Sequence, residues 1–151
     1  MKKLPILLFL LFPLFLFAQK KNIDENSLAV GGYDLVSYFI QDTPQKGKES
    51  IALNLDGARF LFVNHENKAL FKKNPEKYLP AYGGWCAYAM VKGKEVDINP
   101  KAFHIQQGKL YLFYKTNWVD TKIKWIKNPV VFKAKADQAW AKKITQKNWW
   151  I

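Results

Sequence analysis

Three side chains in this sequence are suited to soft-metal ligation or nucleophilic chemistry: Cys86, His65 and His104. Thiolate and imidazole together favour copper or zinc over hard cations. A Cys-His-His set suffices for Cu(I), whereas structural zinc normally takes four protein ligands. Their spacing matches no compact metal motif, and no C-x-x-C is present. A thiolate–imidazolium pair for covalent catalysis is the second chemistry open to Cys86, given a histidine close by in the fold. For acid–base work the candidates are Asp34 and Glu66, without a carboxylate pair. Each residue has an ordinary alternative: Cys86 as a small core residue, His65 as a solvated helix residue, His104 as a packed strand residue, Asp34 as a turn or cap.

Cys86 sits in the most distinctive stretch of the chain, Tyr82-Gly83-Gly84-Trp85-Cys86-Ala87-Tyr88. A glycine pair serves where the backbone needs positive φ or close approach. Aromatic residues around it are the material of a small-ligand pocket and equally of a core. A candidate pocket is therefore drawn from Tyr33, Asp34, Tyr82, Gly83, Gly84, Trp85 and Tyr88.

The elements that must position these residues follow from local pattern. Asp56-Gly57 between two apolar runs predicts a hairpin with strands at 51–55 and 58–63. Asn64 caps a helix over 65–73, and Asn74-Pro75 restarts a short one that Pro80 closes. A short helix follows the glycine pair. Residues 103–105 and 110–114 flank Gln106-Gln107-Gly108-Lys109 as a second hairpin, with His104 opposite Phe103 and Ile105. Val119, Ile123 and Ile126 recur at helical spacing, and Asn128-Pro129 separates them from a helix lined by Phe132, Ala136, Trp140 and Ile144. The expected fold is α+β: a small antiparallel sheet from two hairpins, packed with short helices and two C-terminal helices.

Lys2 and Lys3, the 14-residue apolar run 4–17 and Ala18 have the layout of a secretory signal peptide. The expected organisation is a signal peptide over 1–18, a flexible leader over 19–28, one domain over 29–145 and a tail over 146–151. The tail ends Trp149-Trp150-Ile151, apolar residues that can dock on the domain. The expected address is exported, periplasmic or secreted, with no stable membrane anchor after cleavage. The mature chain would carry 22 basic and 12 acidic residues, and its single arginine is Arg59. Such a scattered, lysine-dominated excess attracts anionic surfaces diffusely and does not point to nucleic acid as a partner. One cysteine excludes an intrachain disulfide.

Gly32-Tyr33-Asp34-Leu35-Val36-Ser37-Tyr38-Phe39, Phe60-Leu61-Phe62, Phe71-Lys72-Lys73-Asn74-Pro75-Glu76-Lys77-Tyr78 and the Tyr82 to Tyr88 stretch together resemble the exported single-domain bacterial branch of the YHS-domain family. Asp97, Pro100, Phe103 and Gly108-Lys109-Leu110-Tyr111-Leu112 extend the resemblance, which covers roughly residues 29–140. It implies a small α+β domain linked to metals, since related domains occur in copper-transporting ATPases and near di-iron hydroxylases. Metal-linked members carry cysteines at positions that match Val63 and Asn67 here. This branch usually has Pro where Leu35 stands. The expectation is an exported binding or accessory domain for a metal ion, copper foremost, or a small ligand, through Cys86 with His104 or His65. The alternatives are a thiol-dependent or oxidoreductase-associated enzyme, and a structural or interaction domain with a buried Cys86. Oligomeric state is left open by the sequence.

Overall fold

The computed structural model describes residues 21–146. The expected signal-peptide cleavage point and the Trp149-Trp150-Ile151 end lie outside these residues. The architecture is α+β, as the sequence pattern predicts. A 3-10 turn at Val30–Gly32 leads into α1 (Ser37–Ile40). The first hairpin is β1 (Lys48–Leu55) and β2 (Ala58–Phe62), followed by α2 (His65–Lys73) and α3 (Pro75–Tyr78). A second 3-10 turn, Ala81–Gly84, precedes α4 (Ala87–Met90). The second hairpin is β3 (Asn99–Gln106) and β4 (Lys109–Phe113), and α5 (Thr121–Trp125) and α6 (Pro129–Gln146) end the domain.

Local chemistry accounts for most of these boundaries. Asp56 and Gly57 both adopt positive φ, 48° and 76°, as a type I′ turn requires. Gln107 and Gly108 do the same at 52° and 71°. The Asn64 side chain accepts from Asn67 N–H at 2.7 Å to cap α2. Asn74 caps α3 with Pro75 in the first turn, and Asp120 caps α5 through Lys122 N–H at 3.0 Å.

The two hairpins form two separate two-stranded sheets instead of sharing one ladder. The outer edge of β2 is already occupied. Ala29 N–H donates to Arg59 O and Arg59 N–H donates to Ser27 O, so the chain before the first 3-10 turn takes the place a third strand would fill. Residues 21–28, expected as a flexible leader, are thereby bound onto the domain. Asn22 reinforces this, its N–H donating to Gly83 O at 2.8 Å.

Strand β4 divides two cores. Leu110 and Leu112 enter a core with Val36, Tyr38, Phe60, Phe62 and Phe71. Tyr111 and Phe113 enter a second core with Tyr82, Met90, Trp125 and Ala136. A strand buried on both faces explains why this segment reads as a continuous apolar run without alternation. The Tyr38 hydroxyl ties α1 to β3 by donating to Pro100 O at 2.7 Å.

The stripe Val119, Ile123 and Ile126 does not face the core. These residues are exposed, and Trp125 alone points inward, 0% exposed. The physical reason is size. In a five-residue helix one indole fills the space between Tyr111, Phe113 and Phe132, with ring centroids 5.3–6.3 Å away.

Candidate ligand-binding site

The site begins with three consecutive left-handed residues. Tyr82, Gly83 and Gly84 have φ of 55°, 61° and 87°. The glycines adopt this region freely, as the sequence pattern requires, but for Tyr82 it costs about 1–2 kcal/mol. Several contacts hold it there. Its hydroxyl donates to Asp137 Oδ1 at 2.8 Å, and its ring lies 5.9 Å from Tyr111 and 6.3 Å from Trp140. Asn22 anchors the following backbone, its side-chain amide donating to Gly84 O at 3.2 Å. The carboxylate of Asp137 is also ion-paired with Lys133 Nζ at 2.7 Å. Lys133, Asp137 and Trp140 stand at i, i+4 and i+7 on α6 and present one stripe.

This stripe, Tyr82 and Tyr111 form one wall of a cleft of about 540 Å³. Val30, Ala58 and Phe60 from the first core form the opposite wall, and the 21–23 segment and the β3–β4 turn form its rim. The volume lies within the ~300–1,000 Å³ typical of small-molecule sites. Three lysines line it: Lys21, Lys109 and Lys133. Burial lowers the Lys109 pKa, with the Glu76 charge acting in the opposite sense. Burial pushes the Tyr82 phenol well above its ordinary range, and the hydrogen bond to Asp137 adds to this. Burial likewise raises Tyr111. Both phenols therefore remain protonated at neutral pH.

Of the pocket residues expected from the sequence, Tyr82 and Gly83 line this cleft. Gly84 lies just behind them. Trp85 and Tyr88 pack on the second core, Tyr88 edge-on to Phe132 at 5.4 Å. Tyr33 lies beneath Lys46, whose Nζ is 5.3 Å from the ring centre. Asp34 is 0% exposed and lies apart from the cleft. Its Oδ1 accepts from Val36 N–H at 2.9 Å. Its Oδ2 accepts from Val63 N–H at 2.9 Å and from the Asn67 amide at 2.7 Å. Val63 and Asn67 thus converge on a carboxylate that is engaged by three donors in all. This is an anchor for the hairpin and α2, without spare acceptor chemistry directed at solvent. Glu66, the other acid–base candidate, is exposed in the first turn of α2.

The Cys86, His104 and His65 set is not assembled. Among the described residues no group of three or more His, Cys, Asp or Glu is placed to hold a metal ion. Cys86 is 0% exposed. Its Sγ accepts from Tyr114 N–H at 3.3 Å and lies 3.5 Å from Thr121 Oγ1. The thiol thus joins α4 to the end of β4 and the start of α5. His104 shares a β3 face with Ala102 and Gln106, cross-strand from Tyr111, and burial followed by the Lys122 charge lowers its pKa. His65 stands exposed at the start of α2. These residues do not fit a bound copper ion.

Sequence reasoning missed Lys21, Phe60, Lys109, Lys133, Asp137 and Trp140 as cleft residues. The one available signal was on α6, where Lys133 and Asp137 form an i, i+4 pair beside the apolar stripe. The fold and this cleft define a small two-core α+β domain with a basic, aromatic-walled recess. No protein-family model, curated protein or solved structure matches the chain.

Proposed function

We propose that this chain is an exported binding domain of YHS type whose ligand occupies the cleft, and that the ligand is a small amphipathic anion with an apolar or aromatic body. The observation that carries the reading is the pairing of Phe60, Tyr111 and Trp140 with three lysines against one carboxylate. Asp137 is satisfied by Tyr82 and Lys133, so the recess is left with a cationic balance. Aromatic walls bind the body, and Lys21 and Lys109 at the rim bind the charged end. The strained Tyr82 supports a functional assignment, since such conformations cluster at ligand sites. Binding is favoured over turnover because the ionisable groups of the wall are engaged in positioning Tyr82.

The test uses anilinonaphthalene sulfonate, an aromatic anion of suitable size, titrated against the native protein by fluorescence. The reading expects one saturable site, weakened at least about tenfold, or ~1.4 kcal/mol, in Lys109→Ala and Trp140→Ala. The exposed-surface control Trp118→Ser should retain it. Unchanged affinity in both cleft variants would exclude the cleft.

A further inference from the structure

The exposed apolar side chains of this domain are not scattered. Nine large ones are exposed among the described residues, and seven of them fall within residues 114–131. Trp118 is 94% exposed at the tip of the β4–α5 connection, and Val130, Ile123 and Ile126 are 72%, 55% and 48% exposed. Ile123 and Ile126 are three apart, and both lie away from Trp125, which anchors α5 to the core. Clustered exposure of this kind marks an interaction surface.

The charges identify the partner. Lys115, Lys122, Lys124 and Lys127 alternate with the apolar residues, and the one acid of the segment, Asp120, is ion-paired to Lys115 at 2.8 Å. A protein interface core is depleted of lysine, because burying an ammonium there needs a partner for each. A second copy presenting the same patch would place lysines against lysines across the two-fold axis. At a lipid surface the same arrangement is favourable. The apolar tips enter the headgroup–acyl boundary, the indole sits at the interface, and lysine stems extend to bring their ammonium groups to phosphate. We propose that the α5 edge, with Trp118 at its tip, docks this domain on an anionic bilayer surface. The proposal is independent of the ligand cleft, which is formed without any of these residues.

The full chain should be sedimented with phosphatidylcholine vesicles, with and without phosphatidylglycerol, alongside Trp118→Ser/Ile123→Ser/Ile126→Ser and Lys124→Glu/Lys127→Glu. The expected result is partition that requires the anionic lipid, weakens with salt and falls at least about tenfold in either variant. An apolar leader, where retained, contributes equally to all three proteins, so the differences isolate the surface. Brominated acyl chains should quench a fluorescence component that disappears in Trp118→Phe. Equal partition of wild type and the serine variant, equal binding to neutral vesicles, or quenching unaltered in Trp118→Phe would each overturn the proposal. So would concentration-dependent self-association that the serine variant abolishes while vesicle partition is unchanged.

Discussion

Replacing Asp34 by alanine should remove a large part of the domain's stability. The side chain is 0% exposed and receives Val36 N–H, Val63 N–H and the Asn67 amide. Alanine leaves three donors without their acceptor in a dry environment, at about 1–3 kcal/mol each. Allowing for partial relaxation, the loss should be about 3–6 kcal/mol, against the ~5–15 kcal/mol that holds a typical domain folded. Asn67→Ala removes only one donor and should cost less, about 1–2 kcal/mol. The double variant should fall short of the sum by roughly 0.5–3 kcal/mol, because the second change removes a donor the first had orphaned. Urea unfolding followed by circular dichroism gives each value from the midpoint at constant m. An Asp34→Ala loss below about 1 kcal/mol, or strict additivity with Asn67→Ala, would refute the view of Asp34 as the shared acceptor.

Three further outcomes are expected. Gly84→Val should lower stability by about 1–2 kcal/mol through backbone strain alone, because an added Cβ would meet nothing nearer than 3.6 Å; a wild-type melting temperature would show that φ of 87° is not required. Cys86 should be inert to a thiol reagent in the native state and react only as fast as the domain opens, so rapid native-state labelling would contradict its burial. His104 has a folded pKa below its ordinary 6.5, so its contribution to stability is present above that value and is lost as pH falls through the folded pKa. His104→Gln should flatten this part of the pH–stability curve; curves of identical shape for variant and wild type would remove His104 as its source.

What was legible in the sequence was what short-range chemistry decides. Asp56-Gly57, Asn64, Asn74-Pro75 and Gly83-Gly84 each dictate a local backbone conformation, and the structure has each of them. The cleft was not legible, because its residues come from six separate stretches that only tertiary packing brings together. Periodicity identified the apolar stripe of α5 but not its direction, which was decided by one large side chain at position 125. Cys86 was the most visible residue by type, and its burial followed from a backbone amide and a hydroxyl that no spacing rule marks. Strand separation was likewise settled from outside the hairpins, by the 27–29 segment on the edge of β2.

The position of β4 between two cores bears on how the domain opens. Small domains usually contain units that come apart at lower free energy than the whole. Here neither hairpin can detach without stripping one face of the same strand, with Leu110 and Leu112 on one side and Tyr111 and Phe113 on the other. Amide protons within β4 should therefore exchange with solvent deuterium only through global unfolding, as the slowest set in the molecule. The two halves are consequently one cooperative unit despite having two sheets, and damage in either core is felt at the same strand.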